Sequence, residues 1–214
     1  MADFLIYSGY LILFINLILY NFSFLYRRKA NIFFIGYLIF SLGMQITMEV
    51  LYQLGFHNLV VVNIFFLGNF ILLSLFFKSF SKTREQENFI GYTLVAAVGA
   101  IIVQNWRDTQ LLFQFNLFAI TLTAALLICY ALIHLYNQLG TDKSYYYVTV
   151  GIVIYLLSST VLYLIGNLTQ NLSPDIKYLS WQLNALLVIV LQLFYCYEWM
   201  VTFSKKNEKK TINF

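Results

Sequence analysis

The chain has 214 residues, of which 61% are hydrophobic and only 10% charged, with a mean hydropathy of +0.75 and a formal net charge of +4. Soluble domains are about a quarter charged, so this composition excludes a water-solvated globule and points to an all-α, polytopic integral membrane protein. At this length no separate soluble domain fits beside the membrane part.

The N-terminal "MADFLIYSGY" has no basic stretch before its apolar run and no small-residue cleavage site after it, which reads as a retained first helix and not a signal peptide. Spans need about 20 predominantly apolar residues. Polar breaks at 27–31, 55–58, 81–87, 105–109, 138–144 and 167–177 leave seven of them, at 4–26, 32–54, 59–80, 88–104, 110–137, 145–166 and 178–203. A basic tail, 205–214, follows. Pro174 is the only proline, so the spans are expected to run without proline kinks.

With seven spans, one side of the membrane receives Arg27, Arg28, Lys29, Lys78, Lys82, Arg84, Lys143, Lys205, Lys206, Lys209 and Lys210, and the other receives only Arg107 and Lys177. Positive residues mark the cytoplasmic side, so the expected threading puts the N-terminus outside and the C-terminus in the cytoplasm of a bacterial inner membrane. The connections are short, which makes consecutive spans antiparallel neighbours in a seven-helix bundle.

The second span carries Tyr37, Ser41, Gln45, Glu49 and Gln53 at four-residue steps. Residues at this spacing stack on one helix face, and lipid offers no hydrogen bonds, so the ridge is expected to form an inner seam. The fifth span repeats the pattern with Asn116, Thr123, Tyr130, His134 and Asn137, and the seventh with Trp181, Asn184, Gln192, Tyr195 and Trp199. Asn16 and Tyr20 in the first span, and Asn63 and Asn69 in the third, add to the same interior.

Depth divides these groups. Glu49, Gln45, Asn116, Trp181 and Asn184 fall in the outer half and are the candidate ligand-binding residues. His134, Asn137 and Glu198 fall near the cytoplasmic end and form a second polar network. An ionisable residue within a span is a functional candidate because its burial is costly, whereas single amides also serve as interhelical hydrogen bonds. Glu198 is expected to be solvated or paired with Lys205, His134 to be interfacial, and His57 to be a plain turn residue.

No HExxH, GxSxG or P-loop pattern is present, and the seventh span lacks the internal lysine a retinal Schiff base needs. Cys129 and Cys196 lie in apolar runs without CxxC spacing, so neither a disulfide nor a zinc site is expected. No catalytic residue, metal or cofactor is assigned, and the basic tail needs no nucleic acid to explain it.

A polar second span with a glutamate, an asparagine-bearing third span, "GIVIYLLSSTVLYLIGNL" in the sixth and Trp181 with Asn184 opening the seventh resemble small seven-helix membrane proteins of Bacteroidota-like bacteria. That resemblance implies a stand-alone membrane sensory module, recognising a small ligand or lipid and signalling through a protein partner or homo-oligomer. The residues also leave open an accessory subunit of a membrane complex, an oligomeric pore-forming effector or, with His134 or Glu49 as base, an intramembrane lipid-modifying enzyme.

Overall fold

The computed structural model describes residues 2–27, 30–140, 143–168 and 174–203. The basic tail and the arginine and lysine at 28 and 29 lie outside the described residues, so Lys205 cannot be placed against Glu198. Seven α-helices follow in order: α1 (Ala2–Arg27), α2 (Ile32–Gln53), α3 (Leu59–Lys78), α4 (Arg84–Arg107), α5 (Leu117–Asn137), α6 (Tyr146–Leu168) and α7 (Pro174–Glu198). A 3-10 turn, Thr109–Phe113, precedes α5, and a π turn, Trp199–Phe203, follows α7. No strand occurs among the described residues, and seven helices are long and apolar enough to cross a membrane.

Among the helix starts that differ from the sequence expectation, α7 begins at Pro174 and not at 178, and those of α4 and α5 are set by side-chain caps. α4 begins at Arg84 and not at 88, since Thr83 accepts the Gln86 N–H and Gln86 Oε1 accepts the Lys82 N–H. Polar residues there belong to the first helical turn. The fifth span does not begin at 110: Asp108 accepts the Gln110 N–H to open the 3-10 turn, and Asn116 then caps α5 through the Ala119 N–H.

Packing closes a ring. α1 lies against α2 and α7, and the circuit continues through α2–α3, α3–α5, α5–α6 and α6–α7. α4 stands outside, in the groove of α3 and α5, and buries only Ile90, Ala97 and Ile101. Gly68 and Gly151 permit the closest approaches. A Cβ at Gly151 would lie 2.7 Å from Phe194 Cβ, and one at Gly68 would lie 2.2 Å from the far edge of the Phe40 ring.

The core is unevenly distributed along the bundle axis. The buried residues of α2 all lie from Phe34 to Ser41, and those of α3 from Phe70 to Phe77. Both stretches are at the end where Lys78, Lys82, Arg84 and Lys143 lie, hereafter the basic end. Over Leu42–Gln53 and Leu59–Asn69 neither helix has a buried residue, so toward the far end the two helices bury much less of themselves.

Candidate functional sites at the two ends of the bundle

At the basic end, the last residue of α7 organises the first turn of α6. Glu198 is 1% exposed; its Oε1 accepts the Tyr145 N–H at 2.8 Å and the Thr202 hydroxyl at 2.7 Å, and its Oε2 accepts the Tyr147 N–H at 2.8 Å. Glu198 is thus a buried helix cap and not the solvated glutamate that was one of the two expectations. A carboxylate at a helix N-terminus gains both hydrogen bonds and the favourable end of the helix dipole. The π turn after Glu198 carries Thr202 back to it, and turns Trp199 so that its Nε1 donates to Leu19 O and Ser23 Oγ of α1.

Tyr145 is the hub of this end. It has φ +57°, an unusual conformation for a bulky residue, and is 1% exposed. Its hydroxyl accepts the Asn31 N–H at 2.6 Å, while its ring meets those of Tyr20, Phe34, Phe76, Phe80 and Phe203. Asn31 also caps α2 through the Phe33 N–H and donates to Ser79 Oγ, linking three helices. In the sequence Tyr145 is the first of three consecutive tyrosines, and only φ and burial distinguish it from its neighbours.

His134 and Asn137 do belong to this end. His134 is buried against Phe77 and Phe80, with Nε2 near Ser144 O and Gln138 Nε2, so its ring faces the bundle interior. Asn137 and Gln86 exchange a reciprocal pair of amide hydrogen bonds at 2.8 and 3.0 Å, and Lys82 Nζ donates to the Asn137 carbonyl. Together these contacts tie α4, α5, α6 and α7 into a floor.

The middle of the bundle is a polar seam. Asn16 Nδ2 donates to Gln192 O and Oε1, both residues being fully buried, and the Cys196 thiol donates to Asn16 Oδ1. Tyr37 and Tyr195 share a hydroxyl hydrogen bond at 3.2 Å, and Ser41 donates to Asn69 Oδ1. The convergence of polar ridges expected from α1, α2, α3 and α7 is realised here.

At the far end the five candidate binding residues separate. Glu49, on α2, accepts from Tyr7 Oη of α1 at 3.0 Å and from Gln53 Nε2 at 2.8 Å, both on Oε1. Gln45, one turn deeper on the same face, has a buried Oε1 with no donor. Asn116 lines a cavity of about 70 Å³ between α3, α4 and α5, together with Asn63, Asn105, Leu112, Ile120 and Thr123. Within it, Asn63 Nδ2 binds the carbonyls of Leu111, Leu112 and Gln114, Asn116 Nδ2 donates to Gln104, and the buried Asn105 Oδ1 has no donor.

Asn184 accepts from Tyr163, whose ring meets Phe66 and Phe115. It stands one aromatic layer away from that cavity. Trp181 is 70% exposed and turns away from the interior, so it shares no pocket with the other four. An apolar groove between α6 and α7, lined by Leu157, Val161, Leu183 and Leu186, opens sideways. Tyr7, Tyr10 and Asn105 were missed at the sequence level, because an interfacial tyrosine and an asparagine in a polar break carry no distinguishing pattern.

The described residues contain no group of three His, Cys, Asp or Glu able to hold a metal ion, and Cys129 and Cys196 are free thiols. No protein family, no curated protein and no solved structure matches the chain.

Proposed function

We propose that this integral membrane protein is a binding and sensory module of a bacterial cytoplasmic membrane. The N-terminus lies outside and the basic end faces the cytoplasm; a small ligand or lipid is taken at the far end, around Glu49 and Gln45, and the change is passed to a partner protein. Asn116 and Asn184 act from the neighbouring seams. The observation that carries this reading is the uneven core: α2 and α3 bury no residue beyond Leu42 and before Phe70, respectively, while the basic end is closed by Glu198, Tyr145 and the Gln86–Asn137 pair. Because α2 and α3 are packed closely at one end and bury little of themselves at the other, a guest can be accommodated between them and their neighbours without unfolding the floor.

Native mass spectrometry of the protein released gently from its own membrane tests this reading. A co-purifying small molecule or lipid that is lost in Glu49→Gln, with the variant still inserted and folded, is the expected result. Unchanged binding in that variant would refute the role of Glu49. The open groove between α6 and α7 favours a second reading, an accessory subunit of a larger membrane complex, because apolar side chains of these two helices could seat a partner helix. A stoichiometric partner retained on solubilisation, with nothing bound at the far end, would select that reading.

A further inference from the structure

The far end of the α1–α2 seam is an acceptor-rich site. Glu49 Oε1 is occupied by two neutral donors, the Tyr7 hydroxyl and the Gln53 amide. Among the described residues no donor reaches Oε2 and no cation pairs with this carboxylate; the only ion pair they show is Lys78–Glu87, at the basic end. One helical turn deeper, Gln45 Oε1 is buried and has no donor either. Residues four apart on a helix are neighbours, so two acceptors wanting N–H groups stand within one turn of each other.

Aromatic faces complete the surroundings. The Tyr7 and Tyr10 rings pack edge to face with centroids 6.1 Å apart, and Tyr10 lies within electrostatic reach of Glu49. Aromatic faces attract cations most strongly where water is partly excluded. A buried acceptor left unpaired is costly, and a lone carboxylate beside lipid favours a counter-charge. Glu49 is four residues from the end of α2, about 6 Å along the axis, which places it near headgroup level in a bilayer.

We infer that this seam binds a primary alkylammonium group, with Glu49 as counter-ion, Gln45 Oε1 as a second acceptor and the Tyr7 and Tyr10 rings as its walls. The inference rests on the binding reading above and narrows its ligand class. N–H donors are required because two separate oxygens need them, so a quaternary ammonium, which has none, satisfies neither. A hard metal ion is disfavoured because no second anionic ligand stands beside Glu49 among the described residues. The ammonium could be that of a free amine from water or the head of an aminophospholipid.

The full chain in phosphatidylglycerol nanodiscs is titrated with ethanolamine and, separately, with choline. In parallel, nanodiscs of phosphatidylethanolamine and phosphatidylcholine in equal amounts with phosphatidylglycerol are analysed by native mass spectrometry for retained lipid. Ethanolamine saturating the site in the first arm identifies the free amine; selective retention of phosphatidylethanolamine in the second identifies the lipid. Either is expected to exceed its choline counterpart and to weaken roughly tenfold in Glu49→Gln, the equivalent of about 1.4 kcal/mol. Gln45→Leu, which removes the deeper acceptor without touching the charge, is expected to narrow the preference for ethanolamine over choline.

Equal binding of the two head groups, or equal binding by wild type and a folded Glu49→Gln, would overturn the ammonium assignment. If an anionic or neutral molecule instead co-purifies in a Glu49-dependent way, the assignment fails and the binding reading survives. If no molecule of any class depends on Glu49, both fail.

Discussion

Two glutamates near opposite ends of the bundle show how differently a membrane protein can use the same side chain. Glu198 has three hydrogen-bond donors, all supplied by its own fold, two of them backbone N–H groups of the first turn of α6. Among the described residues Glu49 has two donors on one oxygen and none on the second, beside a half-exposed tyrosine. A carboxylate whose acceptor sites are filled internally is a structural cap; one left open at a loosely packed end is available to a ligand. The contrast extends to the helices, because the basic end contains the buried aromatic cluster around Tyr145 and the far end does not.

The sharpest way to break this comparison is Glu198→Ala. Two backbone N–H groups would lose a charged acceptor inside a dry cluster, so reversible unfolding in mixed micelles should register a loss of roughly 3 kcal/mol or more. Glu198→Gln, which keeps one acceptor oxygen, should lose about half of that. If either variant unfolds like the wild type, the floor is not held by this cap.

Gly151→Ala comes next. Its new methyl would meet Phe194 Cβ, which is fixed to the α7 backbone, so overpacking should destabilise by about 1–3 kcal/mol. Gly68→Ala meets only the outer edge of the Phe40 ring, which can swing, and should cost less despite the shorter distance. A reversed order in the same unfolding assay would mean that α2 and α3 are packed more rigidly than α6 and α7. Tyr145→Phe should cost about 1 kcal/mol by leaving the Asn31 N–H without its acceptor while keeping the ring.

Glu49→Gln should change stability least, by no more than about 0.5 kcal/mol, although it should weaken ligand binding most. A large stability loss there would make Glu49 a second structural cap and remove the contrast.

The count of spans and their order were readable from sequence, because a membrane imposes length and apolarity on every helix independently of its neighbours. The polar ridges were also readable: Tyr37, Ser41, Gln192 and Tyr195 meet in the interior as four-residue spacing implies. What spacing could not give was the partner across each seam. Asn116 and Glu49 share a depth, yet one lines a cavity between α3, α4 and α5 while the other faces α1, since the ring order of helices and their rotation depend on contacts remote in sequence. The burial of Glu198 was not legible for a related reason. Its nearest charges in sequence are lysines, whereas two of its three donors, the Tyr145 and Tyr147 N–H groups, lie more than fifty residues earlier at the start of α6.

Amide hydrogen exchange along α2 in lipid nanodiscs tests the central contrast most directly, because residues 34–41 and 45–53 lie near opposite ends of one span. The expected result is strong protection over Phe34–Ser41 and markedly faster exchange over Gln45–Gln53, with the difference reduced when the ligand is bound. Equal protection of the two stretches without ligand would contradict an end that is held closed and an end that is open to a guest.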